Sequence, residues 1–353
     1  MSLNKDITYS IPVFIIGAGG IVNDAHLPAY KKAGFTVSGI YDIDKEKAQA
    51  TANRFSIQHV YNSIGEMVIA AGEQKVVFDV AVPGNAVLKV LEQLPDGAAV
   101  LIQKPMGETF AQALSIRELC RRKQLIAAIN FQLRYAPFVT EVRERIREGK
   151  LGTLADIEVN INVYTPWDLW NFLSGAPRVE ILYHSIHYID LIRSFLGNPR
   201  SVYARTTRHP SQPSLAAVRS DIILDYGDWI RASIHTNHQH TYGAEEQQSY
   251  IKWEGTGGAA KVELGALKNY PNGEPDRLRV TDGRDGQHKE WKDIATGSWF
   301  PDAFAGSMAE LIKVVMGEKD RPDHSVEDCI HTMACVEAAY QSSDAGGIPP
   351  RVE

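Results

Sequence analysis

Short apolar runs separated by helix-length amphipathic stretches fill the first third of the chain. Residues 11–16 (IPVFII), 35–41 (FTVSGIY), 76–82 (VVFDVAV), 98–103 (AAVLIQ) and 125–131 are five such runs. Runs of this length, bounded by turn residues, read as buried β-strands. Between them lie helical stretches: one ending near Ala33, one opening at Asp42-Ile43-Asp44 and reaching about Phe55, one over 85–94 and one over 110–123. Ser63 with Glu66 three residues later predicts a capping box for a further helix. Strands alternating with helices predict an α/β domain, a parallel sheet doubly wound by right-handed crossovers.

The rhythm then changes. Residues 137–149 form an amphipathic, charged stretch, 154–164 (LADIEVNINVY) alternates as a half-solvated strand does, and 179–196 reads as a helix. Strand-like segments follow at 201–207, 220–226, 229–237, 250–254, 261–264 and 278–281, with turns at Gly227-Asp228, Gly257-Gly258 and Pro271-Asn272-Gly273. Residues 304–316 and 326–342 are closing helices. This pattern predicts a second, α+β domain on an open, mostly antiparallel sheet. The domains are read as 1–130 and 131–353, the expected number for a chain of 353 residues.

Composition narrows the function classes. Hydrophobic residues at 44% and charged residues at 23% suit packed globular domains. The 43 acidic residues outnumber the 37 basic ones, giving −6, and no basic stripe points to nucleic acid. Three cysteines, Cys120, Cys329 and Cys335, make no disulfide framework and fit the reduced thiols of a cytoplasmic protein. The opening MSLNKDITYS lacks the apolar core of a signal peptide, and no apolar run approaches the ~18 residues of a membrane span.

Candidate chemistry begins at the first strand. Gly17-x-Gly19 follows it and opens a helix, with Gly20 and Ile21 next. Glycine permits the tight turn and a close approach of backbone to pyrophosphate, and the helix start offers unpaired N–H groups. The third small residue of the full fingerprint would fall at Val22. Asp42 ends the second strand 23 residues after Gly19, near the ~20-residue offset of a carboxylate that binds the adenosine ribose. Such a carboxylate favours NAD over NADP. Asp42 could instead cap a helix, a role open equally to Asp44. His235, His238 and His240 invite a metal reading, but strand alternation separates His235 from the other two and no carboxylate or cysteine completes a set; no metal is expected.

Further segments carry a resemblance: His26-Leu27-Pro28-Ala29 in the first helix, Gln103-Lys104-Pro105 at a strand end, Asn130-Phe131-Gln132-Leu133-Arg134-Tyr135-Ala136-Pro137 between the domains, and His187-Tyr188-Ile189-Asp190 in the later helix. Together with the glycine turn they resemble the glucose–fructose oxidoreductase / inositol dehydrogenase / MocA family over nearly the whole chain. The resemblance implies a Rossmann domain, an open-sheet α/β domain and an active site in the cleft between them. It also implies homodimers or homotetramers formed through the outer face of the second sheet. Two positions depart from the family pattern. Gln103 stands where a glutamate precedes the lysine, and Tyr183 stands where an aspartate lies four residues before the histidine.

On the family match, Lys104 and His187 are the candidate proton-handling groups, with Tyr183 in the place of the aspartate and Asp190 able to orient the ring of His187. His184 lies three residues before His187, toward the same helix face, as a substrate contact or a packing group. Arg134, Tyr164, Trp167 and Trp170 would line the substrate, or the aromatics would pack a loop on the core. Pro83, Asn85, Gln103 and Lys104 would reach the cofactor; capping alone would also account for Asn85. The expected function is hydride transfer between a sugar or polyol hydroxyl and NAD. A non-catalytic NAD(H) sensor, or an NAD-dependent glycosidase releasing a free sugar, fits the same residues.

Overall fold

The computed structural model describes residues 11–268, 273–282 and 290–350. The Pro271-Asn272 portion of the expected turn lies outside them. Contacts divide the chain into two compact units, 1–136 with 300–333, and 137–299 with 334–353.

The first unit alternates as the sequence predicts: β1 (Val13–Ile16), α1 (Leu27–Ala33), β2 (Val37–Tyr41), α2 (Lys45–Phe55), α3 (Ile64–Ala71), β3 (Val77–Val80), α4 (Val87–Gln93), β4 (Ala99–Ile102), α5 (Phe110–Arg122) and β5 (Ile126–Ile129). The strands form one parallel sheet in the order β2-β1-β3-β4-β5. β1, β3 and β4 are buried along their whole length, which is why they read as unbroken apolar runs. A short extended stretch at Val60 pairs in parallel with Ile40 beyond β2. The strand order therefore reverses between β1 and β3, the crevice where doubly wound sheets bind ligands. Ser63 caps α3 by accepting from the Glu66 amide at 3.1 Å, while Glu66 returns to the Asn62 amide at 2.8 Å. The capping box is thus present, displaced by one residue on its return arm.

In the second unit, α6 (Pro137–Arg147) leads to β6 (Leu154–Asn162). A five-residue π-helical turn, Ile181–Ser185, runs into α7 (Ile186–Leu196). Seven strands follow: β7 (Ser201–Thr207), β8 (Arg219–Asp225), β9 (Arg231–Asn237), β10 (Gln248–Gly255), β11 (Gly258–Glu263), β12 (Arg277–Asp282) and β13 (Lys292–Ile294). They join β6 in an eight-stranded sheet, β13-β12-β11-β10-β6-β9-β8-β7. Its pairs are antiparallel except β6–β9, which is parallel. Burial alternates along β6 and β8–β10, so one face is packed and the other is wet. Edge strand β7 is covered by serines near the end of the last helix. The amides of Ala204 and Thr206 donate to Ser342 Oγ and Ser343 Oγ at 2.9 and 3.0 Å.

Two helices close the chain, α8 (Asp302–Val315) and α9 (Val326–Ala345). Compactness divides the chain differently from the consecutive stretches 1–130 and 131–353. Phe304, Ala305, Met308, Leu311 and Ile312 of α8 share one core with Tyr30, Ile15, Val77 and Leu101 of the first unit. The apolar face of α8 is thus part of the parallel-sheet unit. Among the described residues, no helix is long and apolar enough to cross a membrane.

Candidate active site

The turn after β1 is held tightly. Gly17 has φ +113°, and a Cβ there would stand 2.3 Å from the carbonyl oxygen of Ala81 at the end of β3. Only glycine fits, so β1 and β3 close on each other at the point of strand reversal. A Cβ on Gly19 would meet nothing within 4 Å. The backbone at Gly19 is therefore open to a ligand, and the helix begins at Gly20, with the Val22 and Asn23 amides donating to the Gly19 carbonyl at 3.2 and 3.3 Å. Ile21 is half-buried against the core of the first unit. Asn23 braces the turn: its amide donates to the Ala18 and Gly19 carbonyls at 3.1 Å each and pairs with Thr51 on α2.

Asp42 and Asp44 divide the two roles left open in the sequence. Asp44 caps α2, accepting from the amides of Glu46 and Lys47 at 3.1 and 3.2 Å. Asp42 does not cap; its Oδ2 accepts from the Ala18 amide at 2.6 Å and its Oδ1 from the Asp44 amide at 2.8 Å. The carboxylate is thereby fixed beside the glycine turn, where a ribose diol would meet it. The open backbone at Gly19, the helix start and this carboxylate together fit a dinucleotide.

Gln103 and Lys104 follow β4. Gln103 is buried, and its Oε1 accepts from the Lys104 amide at 3.1 Å, so it folds over the backbone at the strand exit. Lys104 is half-buried, and removal of its ammonium from water pulls its pKa down to about 8. Pro83 and Asn85 are exposed beyond β3. Asn85 does not cap a helix as the sequence suggested. The chain makes a 3₁₀ turn, Gly84–Ala86, before α4, so Asn85 lies inside that turn and its side chain makes no cap bond.

In the second unit, Tyr183 and His184 belong to the π-helical turn, and His187 stands at the second position of α7. His187 is buried, with its ring edge-on to Trp299 at 5.5 Å. Tyr183 is half-buried and packs edge-on to Phe172 at 5.7 Å. His184 lies against Trp167 at 5.2 Å and His238 at 4.4 Å between ring centroids. Trp167 is itself core, clustered with Leu173, Val179, Leu215 and Val218, with Trp170 packed against them. Tyr164 is exposed, and its backbone bridges to Gln239.

Arg134 belongs to the first unit and is buried there, its guanidinium donating to Asp328 at 2.6 Å and to the Asp323 carbonyl at 3.0 Å. His235, His238 and His240 have separate partners: Asp221 at 2.6 Å, Thr165 at 3.0 Å and Asn162 at 3.2 Å.

Two buried polar clusters escaped the sequence reading. In the first unit, His26 Nδ1 lies 2.7 Å from Asp79 Oδ2, Tyr30 donates to the same oxygen at 2.8 Å, and Asn130 reaches His26 Nε2 at 3.3 Å. His26 and Asp79 have no exposed surface. In the second unit, Glu180 is equally buried and accepts from Ser185 and Ser220. The apolar run around Asp79 and the His-Leu-Pro-Ala segment hinted at the first cluster. Nothing in the sequence marked the second.

Comparison with known proteins agrees with this architecture. The GFO_IDH_MocA model, described as an oxidoreductase family's NAD-binding Rossmann fold, matches residues 11–131. Its companion, the family's C-terminal alpha/beta domain, matches residues 143–350. Curated relatives include a D-apiose dehydrogenase from Paraburkholderia graminis, 22% identical, covering 94% of this chain and 87% of the relative. A D-xylose 1-dehydrogenase (NADP(+)) 2 from Haloferax volcanii is also 22% identical, over 94% of this chain and 97% of the relative. Among solved structures, an oxidoreductase from Agrobacterium radiobacter in complex with NAD+, L-tartaric acid and magnesium superposes with a TM-score of 0.77 at 20% identity. That match covers 95% of this chain and 96% of the other.

Proposed function

The chain belongs to the GFO_IDH_MocA oxidoreductase family, and from that membership we propose that it is an NAD-dependent dehydrogenase of a sugar or polyol hydroxyl. The observation that carries this reading is Lys104, a half-buried ammonium brought down to about 8 at the carboxyl end of a parallel strand. Ligands of doubly wound sheets bind at that end. A surface lysine at a strand exit would keep its hydration; a desolvated one suits an oxygen that gains charge during reaction.

Bound NAD+ supplies the hydride acceptor. Oxidising a carbinol removes a hydride from carbon and a proton from oxygen, so the protein must take one proton and steady one oxygen. His187 takes the hydroxyl proton on a ring nitrogen and returns it to solvent. Lys104 steadies negative charge that builds on a substrate oxygen by donating hydrogen bonds to it. Tyr183 donates its O–H to a neighbouring substrate hydroxyl, a role within reach of a phenol though it lacks the charge of a carboxylate. The exposed Tyr164 offers an aromatic face to sugar C–H groups.

Asp42 supports NAD over NADP, because a 2′-phosphate would approach a fixed carboxylate. The outer face of the eight-stranded sheet, where Tyr203 and Ile223 form an exposed cross-strand pair, supports association of like chains into dimers or tetramers.

The test is to incubate the protein with NAD+ and a panel of aldoses, cyclitols and sugar lactones and follow formation of reduced nicotinamide. Absence of turnover throughout the panel, with NAD+ bound, would exclude the dehydrogenase and favour the sensor. Release of free sugar from a glycoside without net reduction would favour the glycosidase.

A further inference from the structure

Glu180 has no exposed surface. Its Oε1 accepts from Ser185 Oγ at 2.7 Å, and its Oε2 accepts a short hydrogen bond from Ser220 Oγ. His238 Nε2 stands 3.5 Å from Oε1, at the outer limit of a hydrogen bond. Burial by itself pushes this carboxyl upward, but His238 and the two hydroxyls outweigh burial and hold it below the usual glutamate range. The core of the second unit thus contains an ionised carboxylate. Burying one is costly unless it is fully hydrogen-bonded, and apolar packing would commonly serve stability as well.

Its placement suggests what it does there. Glu180 and Ser185 bracket the π-helical turn Ile181–Ser185, and their side-chain bond spans the same i to i+5 interval as a π-helical backbone bond. The other carboxylate oxygen anchors on Ser220 of β8. His238, which follows β9, is held through Nδ1 by Thr165 at 3.0 Å and presents its ring to His184 at 4.4 Å. The turn carries Tyr183 and His184, and His187 lies two residues past Ser185. One carboxylate therefore fastens the turn to itself and to the sheet.

We infer that Glu180 is a positioning residue: by stapling Ser185 to Ser220 and His238 it preserves the π-helical turn that places Tyr183, His184 and His187 relative to one another. The catalytic consequence rests on the dehydrogenase reading above; the staple does not. Without it the turn relaxes toward an α-helix, and one residue fewer in the turn rotates the segment by about 100° against α7.

Three full-length variants test this: Glu180→Ala, Glu180→Gln and Ser185→Ala. In Glu180→Ala we expect kcat to fall tenfold or more, KM for the sugar to change less, and the NADH dissociation constant to stay within twofold. Glu180→Gln, which keeps one acceptor, should fall between that variant and wild type. Amide exchange over residues 181–187 should rise tenfold or more in Glu180→Ala and in Ser185→Ala. A folded Glu180→Ala with kcat within twofold of wild type, or with unchanged exchange at 181–187, overturns the inference. Should Glu180→Ala fail to fold, the same two readouts on Glu180→Gln and Ser185→Ala decide. If wild type oxidises nothing in the panel, the dehydrogenase reading falls and amide exchange alone judges the staple: raised exchange upholds it and unchanged exchange overturns it.

Discussion

The amide of Ala18 and the carboxylate of Asp42 are joined by a 2.6 Å hydrogen bond across 24 positions of sequence. This bond ties the glycine turn after β1 to the end of β2 and holds the carboxylate in place. Asp42→Ser is expected to weaken NADH binding about tenfold, equivalent to ~1.4 kcal/mol, and to leave NADPH binding unchanged or tighter. Fluorescence titration of both coenzymes measures the ratio. Equal losses for the two would assign Asp42 to turn geometry alone.

Lys104 should separate chemistry from coenzyme binding. In Lys104→Met, kcat is expected to drop by roughly 10²–10⁴ while the NADH dissociation constant stays within threefold. If the charged form steadies the substrate oxygen, kcat/KM for oxidation declines as pH rises through about 8, and Lys104→Arg carries that decline to higher pH.

The same lysine has a signature in stability. Its folded pKa of about 8 lies below the ordinary 10.5, so between those values the unfolded chain holds a proton that the folded chain has released. Stability from this group is therefore lowest below about 8 and rises with pH across that window. Urea unfolding at pH 7.5 and 10 should show the rise in wild type and a smaller one in Lys104→Met.

The pairing of His26 and Asp79 is buried on both sides. Asp79→Ala removes the acceptor of both His26 and Tyr30 and is expected to destabilise the first unit by about 3–5 kcal/mol. Asp79→Asn keeps an acceptor and should cost less. Denaturant melts with probes in each unit would place the loss in the first.

Phe304 checks whether the first unit is completed by residues distant in sequence. It has no exposed surface and packs on His26 at 5.1 Å. Phe304→Ala is expected to cost about 3–5 kcal/mol, and amide exchange should accelerate in β1, β3 and β4. Unchanged exchange in those strands would mean that α8 is not part of their core.

Much of this was legible in the residues because it depends on local patterning. Apolar runs buried on both faces announced β1, β3 and β4, and Ser63 with Glu66 announced the start of α3. Gly17 followed by Asp42 drew attention to the turn after β1, which the structure shows closed on the end of β3 and tied to Asp42 through the Ala18 amide. The assignment of α8 was not legible, because its apolar stripe looks the same whichever core receives it. The parallel pairing of β6 with β9 depends on a long-range register that no local signal encodes. Glu180 was hidden for another reason. A glutamate is ordinarily solvated, and only the convergence of Ser185, Ser220 and His238 from three segments makes its burial tolerable.

The hydroxyls of Ser342 and Ser343 occupy amides of β7 that a further strand would otherwise take up. That makes the final turns of α9 a hem on the open border of the sheet. A chain cut just before Ser342 would keep its interior and lose its finish. The exposed border could then recruit β7 of another copy, edge to edge, and the change would show as a concentration-dependent dimer rather than as loss of folded structure.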